Sequence, residues 1–466
     1  MINTKFKKLS LSLNMKPQTI EECWVVIEKL AEINLELFER LNVNSKNSSQ
    51  SPSKDNNKKK VKKSKRSKKK PGAQSGHKGK SRELVPSEQV DKIVKCEAPD
   101  NCSNCSSKLL DINRVTKHQV YDIPLPKYEI TEYQILYKRC RSCNKNFAGN
   151  LPSEVGRRGF GIRAQAAISL FTSKFRTSKR QAIALLKDLY GLPISVGSIS
   201  NTEGRVSNAL KNVHAQIKTF LANSKIVNID ETGFKQRNKS GWAWILTNPE
   251  ASYFHLNQSR GKKVAKELIG KFLDKVIISD RYPCYDYLPE RNHQVCWAHL
   301  KRDFQKISER SGMSGAVGKK LLKNFGKMYS FYKSMLSGKI CCSKKTRKRK
   351  RYLINCITKA LKQGASCNNK NTVRTCNKIL SQGKSLWLFL DNINISPTNN
   401  LAERQLRPLV IAKKLSFGVQ SERGARFIER IFSLVSSCKQ QCKDVIFWLE
   451  TYIKSYFCKT TSPPFI

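Results

Sequence analysis

The segment "NSKNSSQSPSKDNNKKKVKKSKRSKKKPGAQSGHKGK" restricts folding more than any other part of the chain. It carries almost no apolar side chains, so it cannot bury enough surface to offset the entropy of ordering it. It therefore reads as a disordered basic linker that separates a short N-terminal piece from a long C-terminal one. Its lysines also dominate the charge: Lys plus Arg number 88 against 35 Asp plus Glu, a net +53 over 466 residues. Such an excess repels itself unless a polyanion neutralises it, and nucleic acid does so with release of counterions. No apolar run approaches the roughly 20 residues needed to span a bilayer. The start, "MINTKFKKLSLSLNMK", is basic but lacks the apolar stretch of a secretory signal. A cytoplasmic, DNA-associated protein is expected, and there the 16 cysteines read as thiols, with ordered pairs pointing to metal before disulfide.

On either side of the linker the patterns are local. Residues 17 to 42 read as one helix in which Ile20, Cys23, Ile27, Leu30, Asn34, Leu37 and Leu41 occupy successive heptad core positions. That is a short coiled-coil seam, whose Asn34 favours one register and a parallel dimer at some cost in stability. The rival reading is an amphipathic helix docked on the protein's own body. Further on, Cys102 and Cys105 form one C-x-x-C and Cys140 and Cys143 another, with alternating strand-like stretches between them. Four thiolates suit tetrahedral Zn²⁺ in a closed, structural zinc ribbon; Cys96 and His118 read as packing residues. The run "SKRQAIALLKDLYGLPISVGSISNTEGRVSNAL" offers two helices around a turn at Gly191 and Pro193, the second capped by Ser195 or Ser198. It fits a helix-turn-helix that reads DNA, or equally a plain helical hairpin.

From about residue 222 the pattern becomes α/β. "SKIVNIDETGFK" is an apolar strand ending in Asp230, "GWAWILTNPEASYFHLNQ" a hairpin, "KKVAKELIGKFLDK" an amphipathic helix, and "VIISDRYPCYDY" a second strand ending in Asp280. This order resembles a ribonuclease H-like core. Either acid alone is an ordinary turn residue. Two at corresponding strand ends imply a shared cation, because converging carboxylates repel unless one sits between them. Two ions about 3.5 to 4 Å apart can activate an attacking oxygen and stabilise a leaving one in phosphoryl displacement. A third acid is then needed, and Glu403 in "TNNLAERQLRP" is the candidate. It is also three positions after Asn400, a near match to a capping box. Helix entry and metal ligation are compatible. Asn399 and Asn400 are placed to cap that helix or touch DNA, and Arg404 and Arg407 to hold phosphates. Glu231, Asp286 and Asp391 are the nearest alternative acids.

The blocks "PGAQSGHKGK", the paired C-x-x-C, "DIPLPKYEITEY", "NIDETGF", "ISDRYPCY", "CWAHLKRDF", "TNNLAERQLRPLVIAKK" and "SFGVQSERGA", in this order, closely resemble the insertion-sequence-66 family of bacterial transposases. The resemblance covers nearly the whole chain. It implies a DDE transposase, with Asp230, Asp280 and Glu403 matching the acidic triad and holding Mg²⁺ or Mn²⁺. The wide gap between Asp280 and Glu403 is explained by a helical insertion, which the Lys-rich residues 306 to 384 fit. Accessory proteins of the same element are also implied. In "CWAHLKRDF", Cys296 and His299 form a C-x-x-H for which no further ligands can be identified, so His299 and Arg302 read as phosphate or structural contacts. Arg423 and Arg426, following Ser421, read as backbone contacts to DNA or as surface ion pairs.

The expected chain is thus an α/β multidomain protein. A coiled-coil helix occupies 1–45, the basic linker 46–88, the zinc ribbon 89–152 and a helical segment with a candidate helix-turn-helix 153–221. The ribonuclease H-like core takes 222–305 and 385–448, interrupted by the basic helical insertion at 306–384, with a tail at 449–466. The expected chemistry is metal-dependent cleavage at element ends and joining to target DNA, by a homodimer or higher oligomer. The rivals are a catalytically silent zinc-ribbon DNA-binding protein and a ribonuclease H-like nuclease that cuts without joining.

Overall fold

The computed structural model describes residues 19–48, 83–110, 115–123, 128–155, 159–270, 275–340 and 343–466; most of the expected basic linker lies outside them. Residues 58–128 form one unit and the rest of the chain another. In the smaller unit Gln119 clasps Val85, its side chain bonding both the backbone N–H and the carbonyl of Val85 at 2.9 Å. The same unit contains the turn that carries Cys102 and Cys105.

The larger unit is mixed α/β. Its first helix, α1 (Ile20–Leu41), is held near its end by Glu39, which accepts from Arg310 at 2.9 Å and from Asn371 at 3.1 Å. The expected seam is uncovered: Ile20 is 75% and Leu41 74% exposed, and Trp24 and Phe38 are exposed beside it. The described residues of the chain's own body therefore do not bury this face.

A short hairpin, β1 (Tyr137–Arg139) and β2 (Asn146–Ala148), flanks Cys140 and Cys143. Four helices follow: α2 (Ile162–Thr172), α3 (Lys179–Tyr190), α4 (Val196–Ala209) and α5 (Lys211–Asn223). Ser178 and Gln181 close a capping box on α3, which ends at Gly191 with φ 67°. A left-handed C-terminal position costs glycine nothing sterically. Ser195 caps α4 through the Ser198 amide at 3.1 Å. This is the expected helix–turn–helix pair, but Ile199, Thr202, Val206 and Ser207 of α4 are buried, and its open positions are Val196 and Gly197 in the first turn, Asn201 and Asn208.

The centre is a five-stranded sheet in the order β5-β4-β3-β6-β7. Its strands are β3 (Ile226–Gly233), β4 (Trp242–Thr247), β5 (Ser252–Asn257), β6 (Val276–Ser279) and β7 (His293–Val295). β3, β4 and β5 form an antiparallel meander, while β6 runs parallel to β3 and β7 parallel to β6. The crossover from β5 to β6 contains α6 (Lys262–Ile269). β5 is an edge strand, and α13 (Glu422–Gln440) covers it: Ser437, Ser433 and Glu429 accept from the Ser252, Phe254 and Leu256 amides. The core beside it gathers Trp244, Phe254, Phe432 and, from α14 (Val445–Cys458), Tyr452.

β7 leads into α7 (Trp297–Ser308), followed by α8 (Gly312–Leu336), α9 (Lys344–Ala365), α10 (Lys370–Leu380) and α11 (Leu388–Asp391). Between the sheet and the returning helix α12 (Asn400–Ser416) this helical stretch has its own core. Trp297, Phe304, Phe331 and Phe389 pack there together with Ile278 and Val295 of the sheet. The insertion is thus welded to β6 and β7 rather than tethered. Among the described residues no helix is long and apolar enough to cross a membrane.

Candidate active site

The parallel pairing Asn228↔Ile278 puts Asp230, two residues beyond Asn228, level with Asp280, two beyond Ile278. Asp280 stands just past the end of β6, whereas Asp230 lies within β3, which does not end at that acid as the sequence suggested but runs on to Gly233 against β4. Asp230 accepts from the Glu231 amide at 2.9 Å and Asp280 from the Tyr282 amide at 2.9 Å. Burial drives the Asp230 carboxyl well above its usual range, and the negative charges of Glu231, Asp280 and Glu403 push it the same way. Electrostatically, then, Asp230 meets both other acids expected from the sequence.

Glu403 arrives from across the insertion. Its placement depends on Asn399, which is wholly buried. The Asn399 amide accepts from Asn228 at 2.9 Å, donates to the Ile229 carbonyl at 2.8 Å, and its backbone N–H donates to Cys296 Sγ at 3.1 Å. Nearby, the Trp297 amide donates to the Pro397 carbonyl at 2.8 Å. The start of α12 is therefore stitched both to β3 and to the first turn of α7. Asn399, expected among DNA contacts, is instead a positioning residue with no surface to offer. Nor does the capping box form: Asn399 is the cap residue without a side-chain cap bond, and Glu403 Oε1 is buried with no hydrogen-bond partner.

His299 faces it. Its Nδ1 lies 3.9 Å from Glu403 Oε1, too far for a hydrogen bond, and is likewise buried without a partner. Burial lowers the imidazole pKa against the pull of Asp280 and Glu403, which favours the neutral ring. Donor atoms of Cys296, His299 and Glu403 all lie within 4.8 Å of one another. Cys296 is fully buried, its thiol pushed up to about 11 by that burial.

The alternative acids are engaged elsewhere. Glu231 points to the opposite side of β3, as strand alternation requires. There its carboxylate meets Arg260 at 2.8 Å and the Tyr285 hydroxyl at 2.5 Å. Arg260 is in turn sandwiched by Tyr282 and Trp242, with its guanidinium 3.5 and 4.4 Å from the ring centres. Asp391 pairs with Lys350, and Asp286 is exposed.

Of the residues read as DNA contacts, Asn400, Arg404 and Arg407 are exposed on α12 and Arg302 is half-buried on α7. Arg423 is committed to the protein, donating to the Ser200 carbonyl at 2.5 Å. Arg426 pairs with Glu429 at 2.8 Å and Glu422 at 3.7 Å. The ion-pair alternative thus describes Arg426, and Arg423 ties α13 to α4. The contribution of Asn228 went unread in the sequence. A polar residue two positions before Asp230, on the same face of an otherwise apolar strand, was the available signal.

The two cysteine pairs occupy matching turns. The Cys102 amide donates to Ser107 O at 2.8 Å and Ser106 N to Cys102 O at 2.9 Å; Cys140 and Lys145, Asn144 and Cys140, repeat these bonds at 2.9 and 3.0 Å. Ser106 and Asn144, each following a second cysteine, share φ values of 58° and 55°. Hydrogen bonding lowers the Cys105 thiol, chiefly through Ser107, and the Cys140 thiol through Cys143.

Three proteins of Sinorhizobium fredii (strain NBRC 101917 / NGR234) resemble the chain along most of its length. Uncharacterized protein y4qI is 22% identical over 78% of this chain and 71% of its own. Uncharacterized protein y4jD is 22% identical over 78% and 75%, and uncharacterized protein y4hP 20% identical over 76% and 70%. Residues 13–83 match a family of unknown function, DUF6444. Residues 156–427, which include all three acids and the whole insertion, match the family described as "Transposase IS66 family". The chain belongs to the IS66 family of transposases.

Proposed function

We propose that the protein is a DDE transposase that cleaves DNA at the ends of its element and joins them to target DNA, with Asp230, Asp280 and Glu403 as its metal-holding acids. The observation that carries this reading is the uncompensated negative charge around Asp230. Burial first, and then the charges of Glu231, Asp280 and Glu403, raise the pKa of Asp230, while the nearby Arg260 is spent on Glu231. In a chain of net charge +53, an acidic pocket without its own cation fits Mg²⁺ or Mn²⁺. The sheet order, an antiparallel meander extended by two parallel strands, matches the layout of ribonuclease H-like cores, which supports the same reading.

Bound there, the metal would supply charge stabilisation and an activated oxygen for in-line displacement. The chain's own residues supply position. β3 and β6 hold two carboxylates side by side, Asn399 fixes the third against them, and the welded insertion keeps α7 and α12 in register. Asn400, Arg404 and Arg407 offer an exposed polar and cationic edge on α12, suited to phosphates beside the acids. The exposed seam of α1 suits pairing of two protomers, so that both element ends are held together. The turn of Cys102 and Cys105 and the turn of Cys140 and Cys143 each suit a thiol pair that binds structural Zn²⁺, and accessory proteins of the element would complete the assembly.

The test is a Mg²⁺-dependent nicking and strand-transfer assay on DNA carrying an element end. Asp230→Ala or Glu403→Gln should lower cleavage by about three orders of magnitude or more, since metal catalysis contributes several kcal/mol and each tenfold is about 1.4 kcal/mol. Equal activity in wild type and variant, or none in either, would overturn the reading in favour of a DNA-binding protein. Cleavage without joined products would favour a nuclease.

A further inference from the structure

The C-x-x-H of "CWAHLKRDF" lacks identifiable partners in the sequence; the fold supplies one. Cys296 ends the turn after β7, His299 sits in the first turn of α7, and Glu403 sits in the first turn of α12. The bonds from Asn399 N–H to Cys296 Sγ and from Trp297 N–H to the Pro397 carbonyl hold these two helix starts together. Between them, His299 Nδ1 and Glu403 Oε1 face each other at 3.9 Å, both buried and both without a hydrogen-bond partner. A buried polar atom left unbonded costs about 1 to 3 kcal/mol, so two facing each other call for an occupant. Imidazole–metal and carboxylate–metal bonds of about 2.1 Å each sum to slightly more than the observed separation, so an ion fits between them with little movement.

We propose that His299 is a nitrogen ligand of the ion held by Glu403, making that position a mixed imidazole–carboxylate site that takes a transition ion in preference to Mg²⁺. This rests on the reading of Glu403 as a metal ligand. Magnesium takes oxygen ligands in near-octahedral array, and a nitrogen donor shifts a site toward ions that accept imidazole. Cys296 Sγ, also within 4.8 Å, already accepts the Asn399 amide and is a positioning residue for α12. Asp303 on α7 is engaged by Arg281, just after β6, whose Nε is itself buried without a partner; a guanidinium does not ligate metal ions, so His299 is the side chain that can supply a ligand there.

Mn²⁺ alone is the probe, added to the full-length protein without DNA and read by pulsed electron paramagnetic resonance. It suits carboxylate sites and is little attracted to thiolates, so the paired cysteines do not interfere. A nitrogen coupling should appear in the wild-type protein, change with ¹⁵N-histidine, and vanish in His299→Ala. The preference for Mn²⁺ over Mg²⁺ should fall at least about tenfold in that variant, a loss that even outer-shell partners of a ligand can cause. The labelled wild-type protein reports the coupling even if the variant fails to fold. Mn²⁺ bound in a manner lost on Asp230→Asn, but without nitrogen coupling, overturns the inference and leaves the acidic pocket standing. Absence of any Mn²⁺ binding sensitive to Asp230 or Glu403 overturns both.

Discussion

Asp230 and Glu231 are neighbours on one strand and live in opposite worlds. Glu231 is partnered: the Arg260 guanidinium and the Tyr285 phenol bond its carboxylate, and two aromatic rings sandwich that guanidinium. Asp230 is held well above the usual carboxylate range first by its burial and then by the charges of Glu231, Asp280 and Glu403. Burial raises the pKa of Glu231 as well, but there hydrogen bonds from Tyr285 and Arg260 offset it, whereas at Asp230 the neighbouring charges add to it. One residue's displacement along a strand separates the two because alternate side chains face opposite ways.

The sharpest way to break this contrast is to unmake the satisfied side. Arg260→Ala leaves Glu231, about 1% exposed, as a buried charge without its partner. Removing one member of a buried pair costs about 3 to 5 kcal/mol, and the low end applies because Arg260 keeps some contact with water. Urea unfolding should register the loss, and Glu231→Gln in the same background should recover part of it. An unchanged midpoint would mean that the pair does not support the sheet.

A smaller effect is expected from the strap that joins the two worlds. Asn399→Ala removes bonds to Asn228 and to the Ile229 carbonyl and leaves buried groups unsatisfied, about 2 kcal/mol of stability in total. It should also weaken Mn²⁺ binding, although Asn399 touches no ion, because Glu403 loses its anchor to β3. If stability falls while metal affinity holds, the insertion alone places Glu403.

How much of this was legible follows the range of the interactions. The order strand, hairpin, helix, strand follows from local periodicity and is present, but β3 runs three residues past Asp230 to Gly233 and the helix stops at Ile269, before Gly270. The identity of Glu403 rested on family resemblance, since nothing local distinguishes it from a helix-capping acid. The role of Asn399 was misassigned because its partners, Asn228 and Ile229, lie far back along the chain, and a buried asparagine at a helix start looks the same in sequence as an exposed one. Arg423 and Arg426 illustrate the same limit, for a basic residue at a helix start gives no sign of whether a carbonyl, a carboxylate or a phosphate will meet it. His299 lacked a partner in sequence for the corresponding reason, its partner Glu403 being on another helix.

The subtlest test concerns the unsatisfied side, and its sign is opposite to that of the others. The folded-state pKa of Asp230 is raised above the usual 3.8, so between that value and its raised one the native protein holds a proton that the unfolded chain has released. Stability then falls as pH rises through this window, the reverse of a salt-bridged carboxylate. Asp230→Asn removes the cost, so the metal-free variant should be more stable than wild type near neutral pH. About 1 kcal/mol would show as a rise of about 2 to 4 °C in Tm for a domain of this size, shrinking as the pH is lowered toward the ordinary carboxylate range. Excess Mn²⁺ should reverse the order, stabilising wild type through binding to the native state while leaving the variant little changed. A variant no more stable than wild type without metal would mean that the acids do not strain one another, and the contrast between the two sides of β3 would lose its physical basis.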